Sequence, residues 1–250
     1  MSVTIKTPEE IKKLRQGGKI LAKILKKLGA AAKPGVSTMD LELLAKKLME
    51  EYQVKPSFYG FGEPPYPAVI CASNNEGIVH CVPNEVKLKA GDILGVDCGI
   101  WHEGLCTDAA ITVGIGEISE QAKKLLAVTK KSLDLGIKQV KPGNTVGDIG
   151  FAVQSYVDKF GYGIVRALVG HGVGYKVHEE PRIPNFGKPH TGEVLKEGMV
   201  IAIEPMITLG DYVFDVLANG WDVVTKDKSL AAHFEHTLAV TKRGCEVLTK

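Results

Sequence analysis

Four short stretches of this 250-residue chain recur, in the same order, half a chain later. "KPGVSTMDL" (33–41) is matched by "KPGNTVGDI" (141–149), and "VHCVP" (79–83) by "VHEEP" (177–181). "LKAGDILGVD" (88–97) is matched by "LKEGMVIAIE" (195–204), and "TDAAITV" (107–113) by "FEHTLAV" (234–240). A period this long excludes a solenoid, whose units run about 20–50 residues. It asks for two halves of one plan, roughly 1–115 and 116–250, and halves meeting face to face would set corresponding residues around a central cleft. No Pro/Ser-rich linker separates them, so residues 1–250 read as one intertwined domain.

Local signals fill in the plan. Thr7-Pro8-Glu9-Glu10 is a capping box with proline at the first helical position, which predicts a helix from there to about Gly29. Each Lys-Pro-Gly copy opens a further amphipathic helix. "PAVICASNN" (67–75) reads as a strand, 92–116 as strands joined by a tight glycine turn, and 119–139 as a helix.

The composition excludes several classes. A net charge of +2 gives no overall pull toward DNA or a membrane. The basic residues clustered over 12–27 read as the solvated face of a helix, with a docking face for an anionic partner such as ribosomal RNA as the sharper alternative. Five cysteines without a C-x-x-C pair argue against a disulfide framework and against a zinc ribbon. The amino terminus has no apolar signal core, and no run approaches the ~18 apolar residues of a membrane span. A reducing cytosol fits this pattern.

The repeat also pairs charges. Asp97 corresponds to Glu204, and both close an apolar strand; Asp108 corresponds to Glu235, and both open one. A carboxylate on a core strand is costly unless it is hydrogen-bonded, neutralised or bound to metal. Taken singly, each is best read as a salt-bridge partner or turn cap. Four at equivalent positions repel one another, and a multivalent cation is the simplest remedy. His171, placed on a glycine turn, adds one nitrogen. The set Asp97, Asp108, His171, Glu204 and Glu235 suits divalent Mn, Fe, Co or Zn, and is large enough to hold two ions with a water activated between them.

Other chemistries fit poorly. "GHGVG" (170–174) lacks the strand-to-helix setting of a dinucleotide loop, and there is no G-x-S-x-G nucleophile elbow. Cys81 and Cys98 read as small buried hydrophobes.

"GVDCGIWHEGLCTD", "GHGVGYKVHEEP", "GMVIAIEPM" and "AAHFEHT", in this order and spacing, resemble methionine aminopeptidase over nearly the whole chain. The resemblance implies the α+β pita-bread fold of the creatinase/aminopeptidase group: two pseudo-symmetric halves with a central antiparallel sheet flanked by helices. It implies removal of the initiator methionine from nascent chains with a small second residue. The short interval from His171 to Glu235 is similar to the type I class, and the lack of an amino-terminal extension to its minimal form. It further implies a cytoplasmic monomer, two divalent ions, and nascent polypeptide N-termini and the ribosome as partners, without DNA or membrane.

By the same resemblance, Asp97, Asp108, His171, Glu204 and Glu235 would ligate metal, with Glu204 also the general base. His178 would hydrogen-bond the scissile carbonyl and its oxyanion. His80 would contact the substrate backbone and help move protons. Tyr66, Cys71 and Trp221, with Phe61 nearby, would form the methionine pocket, although core packing explains Tyr66 and Trp221 equally well. Glu179 and Glu180 have no ligand role and read as groups behind the ligands or on the surface. Val177 replaces a usual Phe, His233 replaces a usual Gln, and the double proline in "FGEPPYP" (61–67) is unusual. An X-Pro aminopeptidase or prolidase of the same fold is the alternative, and a ligand-stripped binding module the third reading.

Overall fold

The computed structural model describes residues 3–250. The described residues include four α-helices: α1 (Pro8–Ala31), α2 (Thr38–Glu51), α3 (Glu120–Ile137) and α4 (Val146–Val157). The Thr7/Glu10 capping box starts α1, which continues one turn's fraction beyond Gly29. The Lys-Pro-Gly repeat encodes the same device twice. Ser37 and Asp40 cap α2, and Thr145 and Asp148 cap α4, each hydroxyl and carboxylate satisfying the other's backbone N–H. In both copies the glycine sits at φ +88°, a left-handed turn that strongly favours this residue type. Its N–H donates to the carbonyl of Leu88 in one half and of Leu195 in the other.

The main sheet has nine strands, all antiparallel to their neighbours. Its path runs through β1 (Lys55–Pro56), β4 (Ile93–His102), β5 (Leu105–Gly114), β14 (Glu235–Val240), β9 (Val200–Ile203), β7 (Gly170–Gly172) and β8 (Glu179–Ile183). In addition, β2 (Cys71–Asn74) pairs with β4, and β15 (Cys245–Val247) with β14. Two three-stranded sheets complete the fold: β13 (Ala231–His233), β10 (Met206–Thr208) and β6 (Gly163–Ile164), then β11 (Phe214–Val216), β12 (Val223–Thr225) and β3 (Gly77–Val79). The tight turn between β4 and β5 is Glu103-Gly104, both at positive φ, the geometry that matches hairpin twist.

By the sequence repeat, β4 corresponds to β9 and β5 to β14. The central order β4-β5-β14-β9 is therefore the same read from either side, with the pseudo-dyad between β5 and β14. There the halves pair through only two registered positions, Ala110 with Glu235 and Ala109 with His236. Helices α1 and α2 cover the first half, where Leu21, Ile24, Leu28 and Leu41 pack with Leu94, Val96 and Ile100. Leu133 and Ile149 of α3 and α4 bury Ile201, Ile203 and Leu238 in the second. Each such side chain contributes about 1.5–3 kcal/mol when fully buried. This is the α+β arrangement of two related halves, with antiparallel sheet inside and helices outside.

One expected element is shorter than the sequence suggested. Within 67–75 only Cys71–Asn74 forms a strand. The backbone N–H groups of Val69 and Ile70 instead donate to the buried Glu42 carboxylate of α2, at 2.9–3.2 Å, so a side chain takes the place of a ladder partner.

Candidate metal and substrate site

The strand register brings the five expected ligands together at the seam. Asp97 of β4 lies opposite Ala110 of β5, which in turn lies opposite Glu235 of β14. Asp108 is two residues before Ala110 on β5. Glu204 directly follows β9, and His171 of β7 lies opposite Ala202 of that strand. All five line one cavity of about 380 Å³. Ligating atoms of Asp108, His171 and Glu235 lie within 4.8 Å of one another, and His171 Nε2 is 3.5 Å from Glu204 Oε1. His171 Nδ1 lies 2.8 Å from the Gly172 carbonyl; donating its proton there leaves the Nε2 lone pair facing the carboxylates.

His171 is on a strand, not on the glycine turn expected of it. Its flanking glycines serve a close approach. A Cβ at Gly170 would stand 2.3 Å from the Ala202 carbonyl oxygen, and one at Gly172 2.3 Å from that of Glu180. Only a bare backbone lets β7 sit between β8 and β9 at this point.

The electrostatics express unmet demand. Buried oxygens Asp97 Oδ1, Asp108 Oδ1 and Glu235 Oε1 have no hydrogen-bond partner. Burial, reinforced by the neighbouring carboxylates, pushes Asp97 and Glu235 well above the ordinary carboxylate range. Burial raises Asp108 to about 6, with His171 opposing. Glu204 differs: burial is again the largest single influence and acts upward. The imidazoles of His233, His171 and His178 together outweigh it and hold Glu204 below the usual range. Uncompensated oxygens on a set of one imidazole and four carboxylates are the donor chemistry a divalent cation satisfies.

His178 and His80 line the same cavity. The His178 ring is 4.4 Å from that of His171 and edge-on to Phe61 at 5.1 Å. Burial, then the neighbouring His171, lowers His178 to about 4, so it is neutral at physiological pH. Burial lowers His80 as well, and its backbone adopts φ +58°, uncommon for a residue with a side chain.

On the apolar side, Tyr66 and Trp221 meet edge-on at 5.0 Å, and both border the cavity with Cys71, Val79 and Met206. The Tyr66 hydroxyl lies 3.0 Å from the Ile70 carbonyl and 3.1 Å from that of Cys81, so the pocket floor is fixed by a hydrogen bond as well as by packing. Val177 is buried on the wall, and Phe61 is half-exposed at the rim. His233 is buried with Nε2 3.6 Å from Glu204 Oε2, behind the cluster. Cys81 and Cys98 are buried, as small hydrophobes would be.

Glu179 is not a surface group, since its side chain is buried. Its carboxylate accepts from Lys6 Nζ at 2.7 Å and from the backbone N–H groups of Tyr175 and Lys176, with Thr4 also bonded to it. It ties the loop carrying His178 to the amino-terminal segment. Lys6 is far away in the chain and in no motif, so sequence gave no sign of the pair.

The profile of metallopeptidase family M24 matches residues 12–242. The chain is 48% identical to a methionine aminopeptidase of Clostridium acetobutylicum, over 99% of this chain and 98% of that one. It is similar to the crystal structure of methionine aminopeptidase from Thermotoga maritima, with a TM-score of 0.97, 43% identity and full coverage of both chains. Prolidase from Pyrococcus horikoshii shares the fold at a TM-score of 0.80 and 24% identity, over 98% of this chain but 63% of that one.

Proposed function

The chain belongs to metallopeptidase family M24, and on that premise we infer that its seam cluster removes an amino-terminal methionine from peptides. It is a metal-dependent hydrolase of the pita-bread fold, a methionine aminopeptidase in activity. The observation that bears most on the chemistry is the set of buried, unpartnered carboxylate oxygens bordering an apolar pocket.

Asp97, Asp108, His171, Glu204 and Glu235 would hold two divalent ions (Mn, Fe, Co or Zn). Bound there, the ions supply a Lewis acid and a water acidic enough to attack at neutral pH. The protein's own residues do the rest. Glu204, whose carboxyl His233 beside it helps hold below the usual range, accepts the proton of the attacking water. Neutral His178 retains an N–H to donate to the scissile carbonyl, a bond that strengthens as negative charge develops on the oxygen. His80, across the cavity, contacts the substrate backbone and passes a proton toward the leaving amine. Tyr66, Cys71 and Trp221 receive the methionine side chain, and Phe61 with His178 narrows the cleft beyond it, favouring a small second residue. The substrates would be nascent chains at the ribosome, met by a monomer in the cytosol. Cys71, Cys81, Cys98, Cys106 and Cys245, all free, suit a reducing compartment, and no described helix is long and apolar enough to cross a membrane.

The test is a peptide assay on metal-stripped protein. A Met-Ala-Ser peptide should lose methionine only after Mn2+ is restored, while X-Pro dipeptides stay intact. Cleavage of X-Pro instead would move the assignment to prolidase chemistry. Glu204→Gln should fold and lose most turnover; near-normal rates would remove its role as base.

A further inference from the structure

The main sheet is continuous across the seam for only two residue pairs, Ala110 with Glu235 and Ala109 with His236. Just beyond each end of this join the backbone pairing stops, and a threonine hydroxyl takes its place. At one end the Thr237 hydroxyl donates to the Asp108 carbonyl at 2.7 Å and accepts from the Asp108 N–H at 3.0 Å. At the other, the Thr112 hydroxyl donates to the His233 carbonyl at 2.6 Å and accepts from the His233 N–H at 3.0 Å. Both threonines are buried, and they come from opposite strands. A hydroxyl suits this place because it donates once and accepts twice, so it can stand in for both halves of a backbone pair. Thr237 is also where the edge of β14 passes from β5 to β15: its own N–H donates to Thr249 Oγ1 and its carbonyl accepts from the Leu248 N–H.

We propose that Thr237 and Thr112 are positioning residues that set the spread of the two half-sheets and so the separation of the carboxylates facing each other across the seam. Thr237 grips the backbone of Asp108. Thr112 grips that of His233, whose ring stands behind Glu204 and which lies two residues before Glu235. Neither threonine touches the substrate or a ligand side chain; each acts through the backbone that aims one.

This inference rests on the assignment of Asp108 and Glu235 as metal ligands, and the experiment separates the two ideas. Mn2+ binding to metal-stripped protein is measured by calorimetry for Thr237→Val, Thr237→Ser, Thr112→Val and Asp108→Ala, with circular dichroism to establish folding. Valine keeps the shape and deletes the hydroxyl; serine keeps the hydroxyl. Thr237→Val should bind Mn2+ at least about tenfold more weakly, within the range found for residues supporting metal ligands, and Thr237→Ser within about threefold of the parent. With saturating Mn2+, kcat for a Met-Ala-Ser peptide should fall in Thr237→Val while KM stays near the parent value. Parent-like Mn2+ affinity in Thr237→Val, or equal losses in the valine and serine variants, overturns the proposal. If Thr237→Val does not fold, Thr112→Val is judged by the same criterion. Parent-like affinity in Asp108→Ala would instead overturn the ligand assignment itself.

Discussion

Glu42 offers the sharpest quantitative prediction. Its side chain is almost wholly buried, and its two oxygens accept from Val69 N–H at 2.9 and 3.0 Å and from Ile70 N–H at 3.2 Å. Half-exposed Lys46 lies 3.1 Å from Oε1 and stays hydrated if the carboxylate is removed. Glu42→Ala therefore strands two buried backbone donors, at about 1–3 kcal/mol each, for a total of about 2–6 kcal/mol. That is a large share of the roughly 5–15 kcal/mol that holds a typical protein folded. Glu42→Gln keeps one acceptor oxygen and should lose about half as much. In urea the midpoint should fall with an unchanged slope, because the surface exposed on unfolding stays the same. The effect should also reach the substrate, since the loop ends at Cys71 and receives the Tyr66 hydroxyl at the Ile70 carbonyl. KM for methionyl peptides should rise while Mn2+ affinity stays within about twofold. A loss under about 1 kcal/mol in Glu42→Ala would refute the reasoning, because water or another group would then be satisfying both donors.

Three further outcomes are expected. His178→Ala should lower kcat by about 10²–10³-fold, the usual effect of deleting an oxyanion donor, and leave Mn2+ binding intact; a loss under tenfold would rule out that role. Asp40 is held near pKa 2, first by the Ser37 N–H and then by Lys87 and the Ser37 hydroxyl. A depressed carboxyl stabilises above its unfolded value near 4 and loses that contribution as pH falls toward 2. Asp40→Asn should therefore flatten the acid limb of a stability-versus-pH curve between those values. In Gly172→Ala the new Cβ would meet the Glu180 carbonyl oxygen at 2.3 Å, so β7 or β8 must shift. We expect a loss of about 1–3 kcal/mol in thermal unfolding together with weaker Mn2+ binding, and unchanged behaviour in both would show the strands to be pliable there.

The features legible in the sequence are those written twice or locally. The capping boxes at Ser37/Asp40 and Thr145/Asp148, the Glu103-Gly104 hairpin and the carboxylate pairs all follow from short patterns, and the repeat alone foretold a seam. Long-range substitutions for regular structure were not legible. Nothing in "PAVICASNN" says that its first half bonds to Glu42, and nothing around Lys6 points to Glu179. The glycines beside His171 were legible as glycines but not in their purpose, because a turn and a crowded strand require the same residue. Thr112 and Thr237 look like ordinary strand threonines until the register across the seam is known.

The two-pair join between β5 and β14 has a kinetic meaning. Its partners lie half a chain apart, so closing it costs loop entropy that neither half recovers alone, and contacts of this range form slowly. Much of each helical face packs on strands of its own half, although Leu14 of α1 also meets Val200 and Leu248, and α3 meets Ile93. The carboxylate cluster at the seam is then the last part to assemble, and a divalent ion captured there would act as a latch on a nearly finished molecule. Separately expressed halves should accordingly gain helical signal well before they gain any affinity for metal, and that affinity should appear only on mixing.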